Sequence, residues 1–593
     1  MAKSGTGKNM YYVFREDVRI KGTDKKKHLV IERIGRVDEL KAKDPDIESK
    51  LRLEAKRRTV EKKNKFQPIT VTYDNQIVEE SKHCLKTLYF GHNHIFKIWS
   101  DMKLTNFFNK KANKKNAKFI ERCIYGLVMH RLTEPMSVWS TIKDLDTYAG
   151  IESIGSDVYY QSFDVLYDMK EEIINYLNGF MKENTSRVGP MAYYDVTTHS
   201  FESVRQGELR MFGFSKNHKN NEVQVVMGLL IDNNGIPISF DIFPGNTMDQ
   251  KTLQTAVEDL KKKYQLSKIV VIADRGLNGK DNLVYLVNEG HDFVIAYTLK
   301  KSPIDIQEYA LSEDGWCNHV YDANDKSVLT WKEKIIPYKL TAKRELSEEE
   351  IKAFPVTRGR RKKYVEVEIE TNLHITWSLK RKEKDYADRA RVIKGVLDLI
   401  ENPSKINQSI KRGKNQYMKI DIDTNKIELD IEKIKRHAQF DGYYAIVTNQ
   451  LNYRTNEVTE LYKGLWKIEE SFRVMKTDFK ASPVYLWKDE HVIGHFVMCY
   501  MALSIIRYTQ FLYKEKFDET ISAEKIMTAW RKAKIAILGN YPNIYLSPME
   551  LNEDYFRLQQ CLNISPLLKY MKVNEFKKFT NLDIREHPAL QSL

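Results

Sequence analysis

Two short apolar runs that each lead into an aspartate constrain the fold of this chain more than any other feature. The first run begins at Ala192 and ends at Asp195, and the second begins at Ile269 and ends at Asp274. Apolar runs of this length, bounded by polar residues, are typical of buried strands. We therefore expect both carboxylates where neighbouring strands of one sheet end. Between these two runs we predict two further strands, at 223–231 and 236–243, and a helix at 247–264.

This order of elements, with acids at the strand ends, predicts an α/β fold with an RNase H-like catalytic core. The apolar pattern breaks after residue 297 and returns near Tyr443, so a large β-rich insertion is expected to interrupt the core. The N-terminal regions are predicted to contain strands and helices, and the C-terminal region is predicted to be helical. The predicted divisions are an N-terminal β-hairpin and basic helical region (1–80), a helical DNA-binding region (81–188), the first part of the core with both aspartates (189–297), the insertion (298–442), the second part of the core with a catalytic glutamate helix (443–510) and a C-terminal helical region (511–593).

The charge balance favours a polyanionic partner. Lys and Arg number 96 against 81 Asp and Glu, which leaves a formal net charge of +15. An excess of this kind suits nucleic acid or an anionic membrane surface. The most apolar run, Phe496 to Ile506, is shorter than the roughly 20 residues of a membrane span, so we predict a buried helix and no membrane partner.

Cysteine usage and the N-terminus exclude other classes of protein. The five cysteines lie far apart without a C-x-x-C pair, which argues against structural zinc or a disulfide framework and favours the reducing cytosol. No apolar leader is expected at the N-terminus. The segment Gly5 to Lys8 resembles the end of a phosphate-binding loop, but Asn9 follows the lysine and no strand is expected before the segment, so a terminal segment without that role is the better interpretation.

Several segments could contact DNA, and each has a structural alternative. Basic runs at 56–63, 358–363 and 380–382 could contact backbone phosphates or form solvated faces. Two helical stretches around Gly150 have the spacing of a helix-turn-helix, although helix pairs joined by glycine are common. His491 and His495 could serve a nuclease, but a pair at this spacing more often packs or forms hydrogen bonds.

The helix that follows Asn456 carries the most informative pattern. An apolar stripe predicts its buried side, and Glu469 lies about 80° from that stripe at 100° per residue. Tyr462 and Lys476 lie seven residues on either side of Glu469 and should share its flank, whereas Glu470 should point into solvent. The stripe consists of Leu461, Leu465, Ile468, Phe472, Met475 and Phe479.

Asp195, Asp274 and Glu469 together could hold divalent metal ions. Mg²⁺ prefers oxygen ligands and keeps several waters, so few carboxylates suffice. Two such ions about 4 Å apart can activate the attacking oxygen and stabilise the leaving oxygen of a phosphodiester. Either aspartate alone would more often serve a cap or a turn, so the hypothesis depends on the three acids together.

These motifs resemble the DDE transposases of bacterial insertion sequences, in particular those with a Tyr-Arg-Glu-Lys signature in the last catalytic helix. The resemblance covers about 190–300 and 440–510. One departure is Leu465, which stands where the signature has its arginine; Arg473 could replace that phosphate contact or pair with a neighbouring acid. The matching segments are Tyr194 to Thr198, Ile272 to Gly276 and Tyr462 to Lys476, with further likeness at Gly213 to Lys216, Gln224, Gly228 and Phe243 to Thr247.

The resemblance implies an activity, a cofactor and partners. It implies Asp195, Asp274 and Glu469 as ligands of Mg²⁺, for which Mn²⁺ could substitute, and Tyr462 and Lys476 as contacts to DNA-end phosphates. It implies cut-and-paste transposition: cleavage at the ends of an insertion sequence, then transfer of the 3′-OH to target DNA. The expected partners are double-stranded DNA, both terminal inverted repeats and target, and a second copy of the chain in the DNA complex, in the bacterial cytoplasm at the nucleoid.

Two other functions remain compatible with the residues. An RNase H-like nuclease would hydrolyse DNA without strand transfer, and a DNA-binding repressor would have a silent core. All three acids are present, which argues against a silent core. Inverted repeats around the coding sequence would favour the transposase.

Overall fold

The fold is described from a computed structural model of the full chain. The structure describes residues 1–593 with the exception of 7–8, 20–25, 65–85, 112–116, 153, 188–190, 214–221, 248–251, 255–256, 259–269, 274–279, 347, 354–362, 402–413, 421–426, 540–542 and 592–593. Asp274 and most of the basic run at 358–363 therefore lie outside the described residues. The chain divides into a central unit, residues 163–507, and a terminal unit that combines residues 1–162 with 508–593.

The central unit is built on one sheet of nine described strands. The strands are β1 (Met191–Ser200), β2 (Gln224–Ile231), β3 (Pro237–Pro244), β4 (Val270–Ala273), β5 (Asp292–Tyr297), β6 (Cys317–Tyr321), β7 (Leu329–Glu345), β8 (Tyr364–Ser378) and β9 (Tyr443–Thr448). Their order across the sheet is β6-β7-β8-β9-β5-β4-β1-β2-β3, and within it the β1–β4 and β4–β5 pairs are parallel and the others antiparallel. Parallel strands surrounded by antiparallel ones place β1 and β4 in the buried middle of the sheet.

The stretch predicted to be an insertion supplies three of these strands and extends the central sheet. The β8 strand pairs with β9 from Asn372 to Trp377, and the whole length of β8 pairs with β7. Apolar residues on alternate positions, such as Leu373 and Ile375, join the same hydrophobic core as Ala192 of β1. Between them lie polar residues that face away, which is why the sequence pattern looked distinct from the core.

Helices cover this sheet, and the glutamate helix of the sequence analysis is divided. The labelled helices are α1 (Lys170–Asn184), α2 (Lys280–Asn288), α3 (Ile304–Leu311), α4 (Leu379–Glu401), α5 (Ile431–Ala438), α6 (Thr455–Lys463), α7 (Trp466–Arg473) and α8 (Asp489–Phe517). Shorter helical elements lie at Leu299–Lys301, Glu348–Ala353 and Lys414–Tyr417, and two short strands, Met418–Ile420 and Ile427–Leu429, pair with each other. The glutamate helix consists of α6 and α7, joined by one turn, and then a π-helical turn at Val474–Asp478.

The long helix α8 is the most apolar element of the chain. By length and composition it could cross a membrane, but 94% of its apolar window is buried inside the fold. Phe496, Tyr500 and Ile506 are each completely buried. The run Phe496 to Ile506 is therefore a core helix, as the sequence predicted.

The terminal unit contains two small sheets and a set of helices. One sheet joins the N-terminal strands Ala2–Ser4, Tyr11–Arg19 and Lys26–Arg36. The second consists of four antiparallel strands in the order Lys86–Tyr89, Lys534–Leu538, Tyr545–Met549 and Met571–Lys572. The helices and helical turn of this unit are Val37–Lys43, Ile47–Asn64, Asn93–Asp101, Leu104–Lys111, Ala117–Thr133, Val138–Asp144, Leu145–Thr147, Ala523–Lys532, Glu553–Cys561, Val573–Thr580 and Pro588–Gln591, and Ser156–Asp168 crosses its boundary.

The C-terminal region, predicted to be helical, contains strands as well as helices. Residues 534–538, 545–549 and 571–572 form strands of the second sheet. Each strand is only two to five residues long. Such short segments carry too little alternation to be recognised without their pairing partners.

Candidate active site

Asp195 lies on the central strand β1. The strand continues to Ser200, so Asp195 is its fifth residue and does not end it, contrary to the sequence prediction. Among the described residues, parallel pairing with β4 covers Met191 to Tyr193, and Asp195 lies two residues beyond it. The carboxylate is partly exposed, and its Oδ1 accepts a hydrogen bond of 2.8 Å from the Val196 N–H.

The strand β4 ends at Ala273, and Asp274 is the next residue along the chain. Tyr193 of β1 pairs with Ile272 of β4, one residue before that end. The two strands are parallel neighbours, as predicted, whereas Asp274 itself lies outside the described residues.

The helices α6 and α7 lie on the face of β1 that carries Asp195. The hydroxyl of Tyr193 packs directly against the backbone of Gly464, between the two helices, where a Cβ atom would overlap it. Because side chains alternate along a strand, Tyr193 and Asp195 point to the same face. The core residues Ala192, Tyr194 and Val196 point to the other face. Asp195 and the glutamate helix therefore share one face of the sheet.

The same two parts of the chain also lie near each other farther along the sequence. Lys476, in the π-helical turn, is close enough for its charge to influence His199 of β1. Burial, Lys476 and His495 together hold the pKa of His199 well below its ordinary value, so the imidazole is neutral. Its Nδ1 lies 2.7 Å from the Ser482 Oγ. The chain between Gly464 and Lys476, including Glu469, thus runs alongside the chain between Tyr193 and His199, including Asp195.

Glu469 and Glu470 differ in environment, and the prediction for Glu470 is wrong. Glu469 is exposed, as expected for a residue outside the apolar stripe. Glu470 does not point into solvent: its Oε2 accepts a hydrogen bond of 2.7 Å from Arg507 Nη1 on α8. Arg507 is buried and also donates to the Ser471 Oγ at 2.7 Å. The helical period could not predict the pairing of Glu470 with Arg507, because α8 approaches α7 only in the tertiary fold.

The apolar stripe is the buried side of these helices. Leu465, Ile468, Phe472, Met475 and Phe479 are buried, and Leu461 is half-buried. Leu465 therefore packs into the core, as predicted from its angle to the stripe. The π-helical turn adds a residue to one turn, so the seven-residue arithmetic that placed Lys476 on the flank of Glu469 does not hold beyond Val474.

The remaining predicted DNA contacts occupy separate positions on these helices. The ring of Tyr462 lies 5.6 Å from the ring of Tyr444 on β9. Arg473 is about half-exposed and forms ion pairs with Asp478 at 3.4 Å and Glu470 at 3.9 Å. The structure thus contains the pairing with Glu470 that the sequence analysis left open for Arg473. DNA binding by Tyr462, Lys476 and Arg473 stays a prediction.

The other candidate motifs have structural partners. His491 lies 3.2 Å from Asp164, and buried His495 lies 3.3 Å from the Ala481 carbonyl oxygen, which agrees with packing and hydrogen bonding. The helix pair predicted around Gly150 is present as Val138–Asp144 and Ser156–Asp168. Its role in reading DNA stays a prediction.

The donor set at the candidate site suits a hard divalent cation. Asp195 and Glu469 supply carboxylate oxygens, the ligand type that such ions prefer. Within the described residues, which exclude Asp274, no group of three or more His, Cys, Asp or Glu side chains is arranged to hold a metal ion. A complete site would require Asp274 in addition to these two acids.

Two residues that position the glutamate helix, Arg507 and Gly464, were not predicted from the sequence. Arg507 could not be found because the α8 pattern shows only a long apolar helix. Gly464 carried a signal, since an isolated glycine within a helical pattern often marks a close approach of another element. The close approach here is the Tyr193 hydroxyl.

The chain is similar to a family of transposases and to a solved transposase structure. The family model described as "Transposase DDE domain" matches residues 194–505, more than half of the chain and a range that includes all three acids. Comparison with curated proteins gives no significant match. Among solved structures, the chain is similar to a piggyBac transposase determined by cryo-electron microscopy as a synaptic complex with hairpin DNA. The TM-score is 0.34 and the identity 9%, over 75% of this chain and 80% of that one.

Proposed function

This chain belongs to the transposase DDE domain family, and we propose that Asp195, Asp274 and Glu469 are its catalytic acids. The protein is a DNA transposase, an enzyme whose partner is DNA, and enzymes of this family generally use divalent metal ions. The observation that carries the proposal is the shared face of the sheet: Tyr193 against Gly464 and His199 near Lys476 bracket Asp195 and Glu469. Asp274 follows the strand next to β1.

We propose Mg²⁺ as the metal, with Mn²⁺ as a substitute. Asp195, Asp274 and Glu469 would hold it through carboxylate oxygens. When bound, the metal lowers the pKa of the attacking water or hydroxyl and stabilises the leaving oxygen of the phosphodiester. The chain's own contribution is to hold these acids in place: Arg507 fixes α7 through Glu470, and the contact between Tyr193 and Gly464 sets its distance from β1.

We further propose that the substrate is the end of a bacterial insertion sequence, processed by cut-and-paste. Tyr462, Lys476 and Arg473 would contact phosphates of that end, since they lie on the helices that carry Glu469. A homodimer would bring two ends and the target DNA together, in the bacterial cytoplasm at the nucleoid. These proposals rest on the sequence signature, from which Leu465 departs.

The proposal is tested with Asp195→Asn, Asp274→Asn and Glu469→Gln in the full chain. Each substitution keeps the size of the side chain but removes the negative charge that a divalent cation needs. We expect each to reduce metal-dependent cleavage of a transposon end by at least 10³-fold, on the order of effects seen when a group essential to catalysis is removed. DNA-end affinity should change less than about threefold, because affinity comes mainly from phosphate contacts.

Glu460→Gln is the matched control, since Glu460 is an exposed glutamate on α6. It should cleave like the unmodified chain. Full cleavage by Glu469→Gln would contradict the site. Cleavage of an end without joining to target DNA would identify a nuclease that does not transfer strands.

A further inference from the structure

A basic cavity of about 550 Å³ lies in the central unit, and neither Asp195 nor Glu469 is among its lining residues. It opens between the turn after β5, the beginning of α4, the helix α5 and the strand β9. A cavity of this size matches those that hold small ligands or parts of larger ones. Its cationic lining residues are Lys300, Lys301, Arg381, Lys433 and Arg436, and Asp385 is the acid among the lining residues.

The cations of this cavity come from three separate elements. Lys433 and Arg436 lie on α5, Arg381 on α4, and Lys300 and Lys301 in the turn after β5. The helix dipole favours a cation such as Arg436 near the end of α5, but it does not account for cations that two other elements bring to the same space. Like charges at close range repel one another, so this convergence costs stability unless an anion offsets it.

Three of the five lining cations lack an ion-pair partner among the described residues. Lys301, Lys433 and Arg436 form no ion pair with any described carboxylate. Asp385 accepts a hydrogen bond of 3.1 Å from the Gly442 N–H and lies 3.6 Å from Arg381 Nε, so it is already engaged. His437, also in the lining, has a pKa below its ordinary value because of burial and of positive charge from neighbours that include Lys300, Lys433 and Arg436. The described lining therefore carries five Lys and Arg side chains against one carboxylate.

Arg381 is oriented within the cavity by an aromatic ring. Its guanidinium carbon lies 4.3 Å from the centroid of the Tyr444 ring. A guanidinium stacked on an aromatic ring is fixed in plane and can present two N–H groups to one phosphate. Gln416, whose side-chain amide is a further donor, also lines the cavity. The lining thus combines charge with directed donors, which suits an oxyanion with several oxygens.

The position of the cavity relates it to the glutamate helix. Tyr444 forms part of the cavity wall, and its ring lies 5.6 Å from that of Tyr462 on α6. Tyr462 precedes Glu469 by seven residues, or about 10 Å of helix. At roughly 3.4 Å per nucleotide along a strand, that length corresponds to about three nucleotides.

We propose that this cavity binds a backbone phosphate of the transposon-end strand, a few nucleotides from the phosphodiester held at the catalytic acids. The inference rests on the proposed function, because it takes the DNA end to lie against α6 and α7. Its chemistry is that of phosphate recognition in general, which a free phosphate compound would share. The DNA strand is the favoured source because the cavity wall continues to Tyr462.

The test compares two double variants that remove the same amount of charge. Lys433→Gln with Arg436→Gln removes two cations from the cavity. Lys435→Gln with Lys419→Gln is the control, since both lysines are exposed, pair with Glu432 and Asp430, and are not among the lining residues. We expect the cavity variant to bind a transposon end at least tenfold more weakly than the control. The slope of log K against log salt should fall by about 0.9 for each phosphate that the variant no longer binds.

A scan with methylphosphonates, which replace single phosphates by neutral groups, locates the bound phosphate. In the unmodified chain we expect affinity to fall at one or two positions, about two to five nucleotides from the cleavage site by the spacing above. The cavity variant should be insensitive at those same positions, whereas the control should respond as the unmodified chain does. An equal effect of the scan on both double variants would overturn the proposal.

Three further outcomes separate this inference from its alternatives. If inorganic phosphate or ATP binds the unmodified chain in calorimetry, and the cavity variant loses that binding but not DNA affinity, the site serves a small phosphate compound and the assignment to DNA is wrong. If the unmodified chain cleaves ends but both double variants bind DNA alike, the inference fails while the proposed function stands. A chain that neither binds nor cleaves an end fails the proposed function itself.

Discussion

At the scale of single residues, the site depends on a close approach between a strand and a helix. Gly464 allows the Tyr193 hydroxyl to lie directly against the helix backbone. Any side chain at this position would have to displace Tyr193 or move α7 away from β1. Because the candidate ligands Asp195 and Glu469 are on these two elements, such a shift would alter their separation.

We expect Gly464→Ala to lower stability by about 1–3 kcal/mol, as overpacking of a well-packed contact does. Cleavage should fall more than DNA-end binding, since the acids move apart while phosphate contacts persist. Melting temperature, cleavage rate and end affinity of the full chain measure the three effects. Gly179→Ala is the control, because Gly179 is also helical but exposed and has open space around it. An unchanged melting temperature and cleavage rate for Gly464→Ala would show that the contact does not set the site.

At the scale of elements, the first turn of α6 is attached to the sheet by a buried histidine. His374 of β8 lies with its Nδ1 3.2 Å from the Thr455 Oγ1, at the first residue of α6. Burial lowers the pKa of His374 from 6.5 to about 4. The strand predicted to belong to an insertion thus anchors the helix that leads to Glu469.

A lowered histidine pKa makes this anchor sensitive to acid. The unfolded state takes up the proton first, so the stability that depends on His374 is complete above pH 6.5 and is lost as the pH falls towards 4. At pH 5 the loss is roughly 2 kcal/mol. Hydrogen exchange of residues 455–463, measured between pH 7.5 and 5 and corrected for intrinsic rates, should show it. His374→Gln should remove this pH dependence, and His319→Gln, at an exposed site, should not. Equal pH dependence in both variants would contradict the assignment.

At the scale of the whole molecule, the net charge is +15, but some of the basic side chains already pair with acids of the same chain. In the basic run at 56–63, Arg57 and Arg58 form hydrogen bonds with Glu54 at 2.8 and 2.9 Å, and Lys62 pairs with Glu16. A DNA strand on this helix would also meet these carboxylates. The structure therefore favours a solvated helix face over a phosphate-contacting arm for this run.

We expect the triple variant Arg57→Gln, Arg58→Gln and Lys62→Gln to change the salt slope of DNA-end binding by less than about one, because phosphate contacts are what set that slope. Binding isotherms between 50 and 200 mM salt, as an approximate range, measure it. The cavity double variant on α5 serves for comparison, with one fewer charge removed. A decrease of about two or more in the triple variant would restore the run as a DNA contact.

Local sequence pattern was sufficient to predict the central strands, the buried side of the glutamate helix and the exposure of Glu469. Alternation and apolar runs identified β1, β4 and the strands between them, and the helical period identified the buried stripe through Leu465 and Phe472. The same period separated Glu469 from the core. Asp195 and Glu469 could be selected because carboxylates beside buried elements are conspicuous in sequence. These properties require only neighbours within about two helical turns or one strand.

Contacts between elements that are distant in the chain could be identified from the fold alone. It paired β8 with β9 and thereby made the predicted insertion part of the central sheet. It placed Arg507 against Glu470, which the helical period had assigned to solvent, and it gathered the cations of three elements into one cavity. Such contacts join residues far apart in the chain, and no local period encodes them. They form because the packing of the whole sheet and its helices determines which side chains are brought within bonding distance.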